Sequence, residues 1–290
     1  MIFVLISVIC SVTVAVLLKL AKQRGVETKQ MIVWNYPMAV ALTYFILKPE
    51  IADVSWTTLP FPLYIALAIL LPGMFIFIAL SIRYSGLVKT EVAQRLSLFI
   101  PLMASFFLFN EKVQGNKIWG IGVGILAIIC SIGWRKSLPV ANMTDTGYKN
   151  SLYPLLVFFG MGIIDILFKQ VALHVVIPYV SSIFIIFVMA MLIAFGLLSY
   201  MLFIEKQSFS LKAVFYGLIL GAFNFSNILF YMKAHRALPE NPSIVFTGMN
   251  IGVISLGALV GVLFFKEKLS WLNYLGIVLS IVSVLIIAYL

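Results

Sequence analysis

The sequence predicts an all-α integral membrane protein with ten transmembrane helices arranged as two inverted five-helix repeats. Three observations carry that reading. Apolar runs of bilayer length, about 17–25 residues each, recur ten times with short polar breaks between them. The stretch from Phe106 to Ile129 returns as Val262 to Leu285, at a constant offset of 156 residues. The lysines and arginines also change sides between the halves, as they must when an odd number of helices is copied and the copy lies upside down.

The apolar runs fall at roughly 2–20, 31–47, 62–82, 91–109 and 116–134, then at 153–175, 178–204, 212–232, 243–265 and 270–290. The first has no basic leader and no small-residue cleavage site, so it is expected to stay as a helix and not to be removed as a signal peptide. Near the start of the second, Trp34, Asn35 and Tyr36 precede Pro37 and read as an interface anchor in preference to a gate. Breaks carry Pro, Gly and charge, as at Lys48-Pro49-Glu50, Arg83 to Lys89, and Leu238-Pro239-Glu240-Asn241-Pro242. Trp56, Trp119, Trp134, Tyr153 and Trp271 sit near run ends, where an aromatic belt would place them. The longest polar stretch, Arg135 to Asn150, is the seam: a first repeat at 1–137, a linker at 138–152 and a second repeat at 153–290.

The repeat is legible in detail. Leu108-Phe109-Asn110-Glu111-Lys112 closes one run as Phe264-Phe265-Lys266-Glu267-Lys268 closes another, and Gly120-Ile121 matches Gly276-Ile277. Glu111 and Glu267 read as hinge and capping residues. Earlier in each half the offset is 150, so Lys19 matches Lys169, Phe75 matches Phe225 and Arg83 matches Lys233. Counting basic residues by loop puts twelve on one face and five on the other, which directs both termini away from the cytoplasm.

Composition narrows the function classes. The chain is 63% hydrophobic and 10% charged, whereas soluble chains are about one quarter charged. Its net charge of +10 is spread singly and in pairs between apolar runs, which excludes a nucleic-acid surface and suits anionic lipid headgroups. Cys10 and Cys130 both lie inside apolar runs and give neither a disulfide framework nor metal-ligand spacing. Paired carboxylates, Gly-rich phosphate loops, His/Cys clusters and Ser/His/Asp arrangements are missing, so no enzyme activity and no cofactor is expected.

Ten runs in two repeats, with Lys19 and Lys169 ending the first helix of each, Glu111 and Glu267 after the fourth, and Gly120 and Gly276 behind them, resemble the EamA-type carriers of the drug/metabolite transporter superfamily. The resemblance spans the whole chain and rests on the repeated spacing. It implies a basket of ten helices around a central cavity, alternating access between the two membrane faces, and a metabolite as cargo. It also implies cytoplasmic termini, opposite to the bias of the basic residues.

Intramembrane polar residues are the candidate sites, because a charged group there costs about 2.5–3.5 kcal/mol and must face protein or water. Gln94, Pro101 and Ser105 fall on one stripe of a straight fourth helix, as Asn250, Gly257 and Gly261 do on the ninth. The two amides either line the centre or hold the repeats together. Arg95 can clamp a carboxylate or phosphate bidentately, or pair with Glu91 one turn earlier. The eighth helix aligns Gly217, Gly221, Asn224 and Tyr231 with Asn227 nearby, suited to a polar solute or to inter-helix glue. Asp165 stands alone near the middle of the sixth helix, where the first has Ala15. It either exchanges a proton during transport or neutralises Lys169 four residues on. His174 and His235 lie at run ends and read as solvated.

The expected function is a secondary carrier, monomeric or homodimeric, in a bacterial plasma (inner) membrane. Its partners are membrane lipid and a small polar or amphiphilic solute, first an amino acid or related organic acid and first by export. A sugar or drug carrier of the same fold is the nearest alternative, followed by a lipid-linked flippase and a non-transporting scaffold.

Overall fold

A computed structural model of the chain describes residues 1–50, 59–85, 90, 93–94, 96–110, 115–131, 149–174, 176–265 and 271–289. Its continuous α-helices are α1 (Ile2–Gln23), α2 (Thr28–Leu42), α3 (Phe61–Ser85), α4 (Phe99–Phe107), α5 (Gly115–Ser131), α6 (Lys149–Ala172), α7 (Tyr179–Ser199), α8 (Leu211–Ala237), α9 (Pro242–Phe265) and α10 (Trp271–Tyr289), and Thr90, Ala93, Gln94 and Leu96 between α3 and α4 are helical as well. Seven of these, α1 to α3 and α6 to α9, are long and apolar enough to cross a membrane. Shorter apolar segments, Ile118–Ala127 and Tyr274–Ser283, lie in α5 and α10.

Helix ends follow from local chemistry. Gly25, at φ 67°, terminates α1, and the Val26 N–H reaches back to the Ala21 carbonyl at 2.9 Å, the left-handed glycine stop that a Cβ would strain. Ser210 caps α8 by accepting from the Ala213 N–H. Helices α2 and α7 both end in a five-residue π-helical turn, Thr43–Leu47 and Tyr200–Ile204. A left-handed lysine follows each, Lys48 at φ 46° and Lys206 at φ 52°.

The fourth run differs from expectation. Among the described residues it breaks at Ser97 and Leu98, and the continuous α-helix that follows, Phe99–Phe107, has about 14 Å of rise. Pro101 has no N–H and its ring crowds the preceding turn, so the backbone tightens instead: Ile100 N–H donates to the Ser97 carbonyl at 3.1 Å. The Ser97 hydroxyl turns back to the Gln94 carbonyl at 2.6 Å. Gln94 and Ser105 therefore do not share the stripe of one straight helix.

Polarity is inside out. Phe203, Trp271, Leu211 and Phe264 are 76–80% exposed, an arrangement that lipid tolerates and water does not. Lys169, His235, Asn35 and Gln30 are at most 1% exposed. Apolar burial gives helices little reason to associate in lipid, so close packing and internal hydrogen bonds must hold them. A Cβ on Gly217 would lie 2.5 Å from the Met31 carbonyl oxygen, and one on Gly221 2.5 Å from that of Asn35, so α2 and α8 touch backbone to backbone, running parallel. A Cβ on Gly124 of α5 would meet Ser283 Oγ of α10 at 2.8 Å, and that hydroxyl donates to the Gly120 carbonyl at 2.7 Å.

Neighbour relations repeat between the halves. α1 packs on α8 and α9, while α6 packs on α3 and α4; α2 packs on α7 and α8, and α7 on α2 and α3. α5 packs on α10. α1 and α8 are antiparallel, with Ser7 at Asn227 and Arg24 at Tyr216. α3 and α6 are antiparallel too, with Met74 at Gly160 and Tyr84 stacked on Tyr153. α2 and α7 cross antiparallel, as Trp34 meets Phe195 and Tyr44 meets Phe184.

The sequence-based anchor reading of Trp34, Asn35 and Tyr36 is corrected. Asn35 and Tyr36 are buried at 0% and 1%, and Trp34 sets its ring edgewise against Phe195 and Phe209. Trp119 and Trp271 are exposed. Trp56, Trp134, Glu111, Glu267 and residues 132–148 of the seam lie outside the described residues.

Candidate functional site

Helix α8 carries a polar stripe. Asn224, Asn227, Tyr231 and His235 fall three or four residues apart, which at 3.6 residues per turn places them on one side. Each meets a different neighbour. Asn224 Nδ2 donates to Asn35 Oδ1 of α2 at 3.0 Å. Asn227 Oδ1 accepts from the Ser7 hydroxyl of α1 at 2.7 Å. Tyr231 donates its phenol proton to Asp165 Oδ1 of α6 at 3.0 Å. The His235 ring lies between Tyr231 and Phe246 of α9, with both centroid separations 4.8 Å.

At the end of this stripe three ionisable residues gather. Asp165 is half-buried, and its only ring-bearing hydrogen-bond donor among the described residues is Tyr231. Lys169, one turn on, is 1% exposed. It turns away from Asp165: its Nζ donates to the Pro239 carbonyl in the α8–α9 turn at 3.1 Å and sits 4.1 Å over the Phe109 ring. The i, i+4 pair that the spacing makes available is not formed; Asp165 takes the phenol and Lys169 the loop.

His235 overturns its sequence-based reading as a solvated residue. It is 0% exposed, and neither ring nitrogen has a hydrogen-bond partner among the described residues. Leaving such groups unpaired costs about 1–3 kcal/mol each. The signal was present in the sequence: Ile228, Tyr231, Met232 and His235 recur at i, i+3, i+4 and i+7, and the first three are buried. The charged neighbours Lys233 and Arg236 hid it. Asn35 was also missed as a site residue; its Nδ2 and the Trp34 Nε1 are buried donors without an acceptor among the described residues.

The remaining candidates are placed less centrally. Gln94 and Asn250 are half-buried, and no hydrogen bond joins their side chains; Asn250 Nδ2 donates to the Phe246 carbonyl of its own helix at 3.0 Å. Lys19 is half-buried on α1 and engaged in an interaction of its own. Arg95 and Glu91 lie outside the described residues. His174 is half-buried, and its Nδ1 accepts from the Ile177 N–H at 3.4 Å. Among the described residues no group of His, Cys, Asp and Glu is disposed to hold a metal ion.

No family model matches the chain. An uncharacterized protein of Haemophilus influenzae is 38% identical to it over 289 residues, spanning 98% of this chain and 96% of its own. The chain belongs to that protein's family. A crystal structure of another protein superposes with a TM-score of 0.72 at 13% identity, covering 98% of this chain and 94% of that one. The chain thus shares its fold with that solved structure. What the α6–α8–α9 cluster does must be argued from its own chemistry.

Proposed function

We propose that the chain is a secondary carrier of the drug/metabolite transporter kind, resident in a bacterial plasma membrane. It moves a small polar or amphiphilic metabolite, first an amino acid or related organic acid, by alternating access between two inverted five-helix repeats. The observation that carries this reading is the assembly of Asp165, Lys169 and His235 inside a bundle whose outer surface is made for lipid. Ionisable groups are kept at such depth for transport pathways and proton relays, because for stability alone apolar side chains would serve better.

Several features support the repeat. Exchanging each helix for its counterpart five later maps α1·α8 onto α6·α3, α2·α8 onto α7·α3 and α1·α9 onto α6·α4. Antiparallel crossing of the counterparts α2 and α7 agrees with inversion, and the matched π-helical ends of those helices agree with common descent. In this reading Asn224, Asn227 and Asn35 present amides to the solute. Asp165 takes up a proton from one face and releases it to the other as the halves rock, with the Tyr231 hydroxyl as its hydrogen-bond donor in this state, and Lys169 holds the α8–α9 turn closed in one state.

The test is counterflow of radiolabelled amino acids and lactate in proteoliposomes. Asp165→Asn should abolish gradient-driven uptake but leave exchange at equal proton concentration, since only the coupling step needs the ionisable oxygen. Uptake unchanged by Asp165→Asn, Lys169→Met and Asn224→Ala together would overturn the assignment.

A further inference from the structure

A cavity of about 500 Å³ opens where α6 turns into α7, lined by Ala172, Leu173, His174, Pro178, Tyr179 and Arg236 among others. It is not part of the buried cluster, but it adjoins it. Ala172 and Leu173 follow Lys169 by three and four residues, on the same side of α6, and Arg236 follows His235 directly.

Three features of its wall share one electrostatic sense. The Arg236 guanidinium lies 4.4 Å over the Tyr179 ring, a stack that holds the fork in place and leaves its N–H edges free to donate. His174 accepts the Ile177 N–H through Nδ1, which puts its proton on Nε2 and makes that nitrogen a donor. Among the described residues lining the cavity there is no Asp or Glu, so no carboxylate of that lining cancels the field of Arg236.

We propose that this cavity is an oxyanion-binding vestibule, receiving a carboxylate or phosphate group on Arg236 and His174. It rests on the carrier reading only in being its entrance, and it deepens that reading by naming the cargo class as anionic. A free metabolite and the headgroup of an anionic lipid offer the same chemistry, so the source is decided by experiment.

The full-length protein is placed in nanodiscs of phosphatidylcholine and titrated calorimetrically with sodium phosphate and with sodium citrate, against sodium chloride at equal ionic strength. Saturable binding of either is expected, weakened by about tenfold or more in Arg236→Gln, since a charge-assisted bidentate contact is lost. Arg236→Lys should recover part of it, and Tyr179→Leu, which keeps every charge and removes only the stack, should fall between. A second arm uses discs containing phosphatidylglycerol. Retention of that lipid in native mass spectra of wild type and its loss in Arg236→Gln, without binding of soluble anions, identifies the headgroup as the occupant. If wild type binds neither anion and holds no phosphatidylglycerol, or if Arg236→Gln behaves as wild type in both arms, the vestibule is refuted. Asp165→Asn separates the two proposals: it should stop coupled uptake yet bind phosphate or citrate as wild type does. Binding without any transport would sink the carrier and leave the vestibule standing.

Discussion

Adding one methyl group at Gly221 tests how α2 and α8 are joined. An alanine Cβ there would lie 2.5 Å from the Asn35 carbonyl oxygen and 2.7 Å from Met38 Cβ, where ordinary contact is 3.4–4 Å. Neither obstacle is the free end of a flexible side chain, so the helices must part by about 1 Å. Overpacking of this kind costs about 1–3 kcal/mol. Parting the helices also stretches the Asn224–Asn35 hydrogen bond, worth about 0.6 kcal/mol inside a membrane bundle. The gain in helix propensity on going from glycine to alanine returns about 0.8–1 kcal/mol. The net loss is about 0.6–2.8 kcal/mol, which lowers the melting temperature by about 1–11 °C for a chain of this size. Tryptophan fluorescence melting in detergent measures it. Gly73→Ala and Gly196→Ala are the controls, since a Cβ at either position meets nothing within 4 Å; both should melt at or above wild type. Gly217→Ala, whose Cβ would lie 2.5 Å from the Met31 carbonyl oxygen, should cost about as much as Gly221→Ala. The double variant should cost less than the sum, because a single separation relieves both clashes. Gly221→Ala melting together with Gly73→Ala would refute the backbone contact.

Other substitutions address the polar stripe. Tyr231→Phe removes the hydroxyl that donates to Asp165 and should destabilise the protein by about 1–3 kcal/mol while reducing coupled uptake; an unchanged melting curve would mean that Asp165 finds another donor. His235→Leu should raise stability by about 1–3 kcal/mol, because two orphaned nitrogens are replaced by carbon of similar volume, and it should lower transport. A destabilised His235→Leu would show instead that the ring nitrogens are partnered. A double-mutant cycle between Asn35→Ala and Asn224→Ala should return a coupling of about 0.6–1.7 kcal/mol, and zero coupling would rule out the amide–amide bond as a tie between α2 and α8.

Most of the helical layout was legible in the sequence because lipid imposes one demand on every residue of a span. Hydropathy over the runs at 2–20, 62–82 and 212–232 places α1, α3 and α8 to within a few residues at their starts. What hydropathy misses is where a helix continues after its lipid-facing side has become polar. α8 runs to Ala237, past Lys233, because Ala234 and His235 remain inside while Arg236 points out. A window average blends those two faces into one polar end, and so His235 was read as solvated. The fourth run failed for a different reason: it was read as one straight span, which the stereochemistry of Pro101 denies. Among site residues, Asp165 and Tyr231 were both singled out, but not as partners of each other. Nothing in a single sequence relates a position on α6 to one 66 residues later on α8.

Lys169 has a consequence for how the molecule responds to charge. Its ammonium reaches both the Pro239 carbonyl between α8 and α9 and the ring of Phe109 beyond α4. A lysine head is a compact point charge that goes to whichever negative group comes nearest. In the proposed carrier, an anion that drew this head away would release the α8–α9 corner and the tail of α4 together. A single contact would then loosen two separate helix ends, with no messenger needed between them.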